Sequence, residues 1–154
     1  MKVFVSGSIS IKKLPNIALV QLNEFFEEGH TILIGDAYGI DLCVQKYLEK
    51  IKYPNVFIYY AGERIRNNFG DWNTINIKAI HDEKGKALYI LKDIEMAKDA
   101  DIGFMIWDGK SKGTLNNIQM MKSQNKKFQV VFKEEILSDR DLENHISKLT
   151  NKQI

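Results

Sequence analysis

The segment Asp108-Gly109-Lys110-Ser111-Lys112-Gly113-Thr114 sets hydroxyls and glycines between an apolar run, Ile102 to Trp107, and a helix-like pattern. Free backbone N–H groups gather where a strand gives way to a helix, and the helix dipole favours negative charge there, so the turn suits an anion, above all a phosphate. Gly113 and Thr114 are read as the anion-facing part; Lys110 and Lys112, on flexible stems, are read as solvated surface charges. Two further apolar runs end in the same manner. Val3-Phe4-Val5 opens into Ser6-Gly7-Ser8, and Ile32-Leu33-Ile34 opens into Gly35-Asp36-Ala37-Tyr38-Gly39-Ile40-Asp41. Glycine permits close backbone approach or positive φ, and Asp36 and Asp41 are acceptors suited to ribose hydroxyls or a base. Capping of a helix by Asp36 is the stronger reading of that segment alone.

Other chemistry-bearing residues are weaker. Trp107 ends an apolar strand and reads as core, whereas Trp72 lies in an irregular stretch and is the better stacking candidate. Asp93 and Glu95 fall on a helix pattern before the Ile102 to Trp107 run; such residues usually form a solvated face. His30, His81 and His145 lack metal-ligand spacing, and no Ser/His/Asp set is legible. No metal and no cofactor is expected. Neither Gly-x-Gly-x-x-Gly nor Gly-x-x-x-x-Gly-Lys-Ser/Thr occurs, which sets aside a standard NAD site and a Walker nucleotide site.

The elements that must position these residues follow from periodicity. Strands are predicted at Lys2 to Ser6, Thr31 to Ile34, Val56 to Tyr60, Ile102 to Trp107 and Phe128 to Phe132. Helices are predicted at Leu14 to Glu28, Tyr38 to Ile51, Lys86 to Ala100, Thr114 to Gln124 and about Ser138 to Leu149, the last with Ser138 as N-cap. Val20 and Ile94 are among the apolar positions expected to face inward. From Ala61 to about Lys84 periodicity fails, and a long connection or broken helix is expected. Nearly all-apolar strands alternating with helices imply an α/β, Rossmann-like, doubly wound three-layer sandwich around a central, mainly parallel five-stranded sheet. Ligands of such sheets bind beyond the carboxyl ends of the strands at the switch point of strand order, where all three Gly/Ser-rich turns converge.

At 154 residues the chain is expected to form a single domain, 1–154, with its core in 2–132. Its 22 basic and 20 acidic residues nearly balance, and on that ground nucleic acid is not expected as a partner. One cysteine, Cys43, excludes an internal disulfide and reads as a buried, inert thiol. No signal sequence and no membrane-length apolar run is present, so a cytoplasmic protein with no membrane partner is expected.

Taken together, Val5-Ser6-Gly7-Ser8, the Gly35 to Asp41 turn, Asp93-Ile94-Glu95-Met96 before Ala100-Asp101, and Trp107 through Asn117 resemble the SLOG superfamily, the clan of lonely-guy phosphoribohydrolases and DNA-processing A proteins, and within it the small stand-alone YspA/YpsA-like branch. The similarity spans about Lys2 to Phe132. It implies a site for a nucleotide or nucleotide-derived small molecule, and convergent phosphate-suited loops without an evident catalytic set lead to the expectation of a sensor or sequestering role. The matching positions are Gly7, Ser8, Gly35, Asp36, Gly39, Asp41, Ser111, Gly113 and Thr114, and Trp72, Asp108, Gly109 and Asn117 complete the candidate set. Hydrolytic relatives carry a glutamate three positions after the Gly-Thr pair. Here that place is Asn117, which cannot act as a carboxylate base or nucleophile. Many relatives carry Arg where this chain has Lys92, which lacks the bidentate fork for phosphate. The alternative is an N-glycosidase, phosphoribohydrolase or deoxyribosyltransferase-like enzyme, with Asp36, Asp41 or Glu95 as candidate catalytic groups. The resemblance also implies a homodimer or higher homo-oligomer.

Overall fold

In the computed structural model, which describes residues 1–151, strands and helices alternate as the apolar pattern predicts. The order is β1 (Lys2–Gly7), α1 (Asn16–Glu27), β2 (Thr31–Gly35), α2 (Ile40–Lys50), β3 (Val56–Ala61), β4 (Asn73–Ile77), α3 (Lys86–Asp99), β5 (Ile102–Trp107), α4 (Lys112–Ser123), β6 (Lys127–Phe132), β7 (Glu135–Ile136) and α5 (Asp139–Asn151). They build one seven-stranded sheet in the order β4-β3-β2-β1-β5-β6-β7. Every neighbouring pair is parallel except β6 and β7, which form an antiparallel hairpin. The chain winds outward from β1 to β4, then α3 carries it back across the sheet to β5 beside β1. The switch of direction therefore falls between β1 and β5.

Successive strand residues point to opposite faces, and the two cores divide accordingly. Val3, Val5, Ile32, Ile34, Ile58, Phe104 and Ile106 pack under α1 and α2. Phe4, Leu33, Tyr59, Met105, Trp107 and Val130 pack under α3, α4 and α5 through Met96, Ile118, Met121 and Leu142. Each fully buried side chain of this kind contributes about 1.5–3 kcal/mol of transfer free energy, which is why the central strands read as unbroken apolar runs. Ser138 caps α5 as expected, its hydroxyl accepting the Asp141 N–H at 3.1 Å.

Four sequence expectations need correction. The sheet has seven strands, not five, because the 61–84 connection holds β4 and a hairpin partner follows β6. β4 is an edge strand with its side chains exposed or half-buried, so Asn73-Thr74-Ile75-Asn76-Ile77 never shows an apolar run. Val20 and Ile94 point outward, at 59% and 39% exposure. Cys43 is only half-buried, and burial pushes its thiol up, keeping it protonated. Among the described residues no helix is long and apolar enough to cross a membrane.

Candidate functional site

At the switch point the ends of β1 and β5 meet the start of α4 through one buried hydroxyl. Ser8 Oγ lies 2.7 Å from Ser111 Oγ and 3.4 Å from Thr114 Oγ1, and it accepts the Asp108 N–H at 2.9 Å. Ser111 Oγ reaches Thr114 Oγ1 at 3.2 Å, closing the triangle. Ser8 is 1% exposed, so the contact fixes the two loops rather than meeting solvent. Gly7 is required just below it: a Cβ there would meet the Ile106 carbonyl oxygen at 2.5 Å and Ile40 at 2.6 Å.

Asp108 organises the turn ahead of α4. Its Oδ1 accepts the Lys110 and Ser111 N–H groups at 2.8 Å each, and its Oδ2 accepts the Ser10 hydroxyl at 2.7 Å. Burial opposes its ionisation, but these hydrogen bonds outweigh it and draw the carboxyl down to about 2. Gly109 takes φ +81° here. No side chain caps α4 itself, and its first turn carries no acid, so its opening N–H groups remain available. Gly113 faces open space in that turn, and Lys110 and Lys112 are exposed beside it. Asn117, one turn on, is buried, donates its amide to Ser6 Oγ at 3.1 Å, and leaves its Oδ1 without a partner.

The β2 turn is occupied by its own chain. Asp36, 1% exposed, accepts the Arg66 N–H at 2.8 Å and the Arg66 Nη2–H at 2.8 Å, with Lys92 Nζ at 3.8 Å. Burial works against the Arg66 charge, but Asp36 more than compensates and raises its pKa. Asp41 is buried beside it, accepting the Ala37 N–H at 3.2 Å, and burial pushes its carboxyl up to about 7 against the pull of Lys92. Gly35 leaves the room these groups fill, since a Cβ would meet Asp41 Oδ2 at 2.6 Å and Lys92 Nζ at 2.7 Å. Gly39, at φ +74°, would press a Cβ onto the Ile9 carbonyl at 2.4 Å. This contact brings the β1 and β2 loops together, so exposed Tyr38 and Ile9 stand on one edge.

The predicted residues therefore divide. Gly7, Ser8, Asp108, Gly109, Ser111, Gly113, Thr114 and Asn117 assemble at the β1/β5 junction; Gly35, Asp36, Gly39 and Asp41 form its neighbour. Trp72 does not join them. It precedes β4 at the amino edge of the sheet, donates its indole N–H to the Tyr53 carbonyl at 3.1 Å and packs against the core, far from the carboxyl ends. Glu95 sits on α3 beside Tyr59, whose hydroxyl burial pushes up together with Asp99 and Glu95. Asp36 is bound on both oxygens and is not free to act as an acid or base. Arg66 and Ser10 were missed, though an arginine in the connection after β3 and a serine two residues past Ser8 were the available signals.

No protein-family profile matches this chain, and no curated protein does. Among solved structures, DNA processing protein A from Helicobacter pylori resembles it in shape, at TM-score 0.65 and 16% identity over 99% of this chain and 73% of that one. The likeness is one of fold: the two chains share the same α/β arrangement. The neighbouring structure is described by its single-stranded DNA binding mode, which corrects two expectations. A nucleotide-type small molecule was expected, and nucleic acid was set aside because charges balance over the whole chain. Asp36 at this edge is neutralised internally by Arg66 and Lys92, whereas Lys12, Lys13, Lys110 and Lys112 are exposed on the loops around it.

Proposed function

We propose that this protein binds single-stranded nucleic acid along the carboxyl edge of its sheet. The observation that carries the reading is the uncapped N-terminus of α4, held open by the Asp108 and Ser8 contacts and flanked by Lys110 and Lys112. A backbone phosphate suits that position by charge, by free N–H donors and by the helix dipole. Exposed Tyr38 and Ile9 supply apolar surface on the same edge for unstacked bases, as single-strand binding requires. The likeness to a protein described by its single-stranded DNA binding supports the reading.

We read the chain as a domain of the YspA/YpsA-like branch, on the strength of Asp93-Ile94-Glu95-Met96 and the Asp108 to Asn117 segment. Titrating a fluorescein-labelled single-stranded oligonucleotide and following its anisotropy tests the function. Binding that outcompetes a duplex of the same sequence is expected. Equal or better binding of the duplex would sink the single-strand reading.

A further inference from the structure

Beside the β1/β5 junction lies a cleft of about 400 Å³ that none of the site residues above fills. One wall is the β1–α1 loop with Ile11, Lys13 and Leu14; the other is the β6–β7 turn with Phe132, Lys133 and Glu134. Trp107 and Asp108 lie at its base, so the cleft shares Asp108 with the α4 turn and continues the same edge. Its volume lies within the range of small-ligand sites. Phe132 is a fixed platform: its ring lies 5.1 Å from the His145 ring and against Gly109, and His145 is itself held 2.8 Å from the Gly109 carbonyl. Lys133 Nζ stands 5.2 Å from the centre of the Phe132 ring. Lys13 and Lys133 are exposed and form no ion pair among the described residues. The carboxylate near them, Glu134, is instead turned to the start of α1, accepting the Asn16 and Ile17 N–H groups at 3.3 and 3.4 Å.

An apolar aromatic floor with two unpaired cations at the rim complements one nucleotide unit: a base on the floor and phosphates at the lysines. We propose that this cleft between the β1–α1 loop and the β6–β7 turn takes a base of the bound strand against Phe132, with the flanking phosphates on Lys13 and Lys133. The inference rests on the single-strand binding reading and adds a second contact point to it. A strand crossing the α4 turn passes Asp108 and drops its next accessible base into the cleft.

The test uses the full chain and a fluorescein-labelled oligonucleotide of mixed sequence. Phe132→Leu keeps an apolar side chain and removes the aromatic face; it should weaken binding about fivefold or more. Lys13→Glu with Lys133→Glu should weaken it further and flatten its salt dependence. Wild-type binding with both variants within about twofold of it overturns the cleft while leaving the edge as the binding surface. Absence of wild-type binding overturns the edge reading and the cleft with it. Photo-crosslinking of wild type to an oligonucleotide carrying 5-iododeoxycytidine decides the matter even if Phe132→Leu fails to fold. A crosslink in the peptide holding Phe132 is expected, and crosslinks confined to Tyr38 would overturn the cleft.

Discussion

Arg66 grips Asp36 twice, through its backbone N–H and through Nη2, each at 2.8 Å. The pair ties the irregular β3–β4 connection to the end of β2, and Arg66 also stacks 4.2 Å over the Tyr89 ring of α3. A loop without periodicity is thereby given one conformation. Arg66→Ala would remove the guanidinium from Asp36 and leave the buried carboxylate with the backbone N–H of residue 66 and Lys92 at 3.8 Å. Loss of one partner of a fully buried pair costs about 3–5 kcal/mol, and the partial exposure of Arg66 puts this case at the low end or below. Thermal melts followed by circular dichroism should show Tm lower by several degrees; an unchanged Tm would mean the clasp is decorative.

Asp41 makes stability depend on pH with a defined sign. Its folded pKa of about 7 lies above the ordinary 3.8, so folding takes up a proton between those values. Its favourable contribution is complete below about pH 4 and is lost as pH rises through 7. Asp41→Asn keeps an acceptor for the Ala37 N–H and carries no charge at any pH. Its Tm should match wild type near pH 4 and exceed it at pH 8. A gap that stays constant across that range would contradict the assignment.

Two glycines should behave oppositely. Gly39→Ala forces a side chain into positive φ and onto the Ile9 carbonyl at 2.4 Å, so a loss of at least about 1–2 kcal/mol is expected. Gly113→Ala meets nothing within 4 Å and sits in the first turn of α4, where alanine favours the helix by up to about 1 kcal/mol. Urea denaturation of both variants checks the contrast, and equal destabilisation would refute it.

Ser8→Ala removes the acceptor of the Asp108 N–H and the centre of the hydroxyl triangle. Stability should fall by about 1–2 kcal/mol, and oligonucleotide affinity should fall with it because the α4 turn loses its anchor. Denaturation and anisotropy on the same preparation separate the two effects. Full affinity in a destabilised protein would show that the triangle serves folding alone.

Legibility in the sequence followed burial. Central strands such as Val3-Phe4-Val5 and Phe104-Met105-Ile106 are covered on both faces, so their apolar runs announce them. β4 lies at the edge and escaped because Asn73, Thr74 and Asn76 interrupt it. The β1/β5 loops were legible because glycines and hydroxyls mark strand-to-helix turns. Trp72 was misplaced because composition does not say at which end of a strand a residue sits. Whole-chain charge is a weak guide to partners for a related reason: it sums over buried and exposed groups alike, and Asp36 and Asp41 are counted there although both are buried.

Anisotropy of a labelled single-stranded oligonucleotide between about 50 and 200 mM salt, with wild type and the Lys110→Glu, Lys112→Glu double variant, tests the central claim most directly. Contact with about three phosphates predicts a log–log salt slope of roughly −2, and the charge reversal should lower affinity about tenfold or more. Binding that ignores both salt and the double change, or no binding at about 50 mM salt, would contradict a nucleic-acid site at the α4 turn.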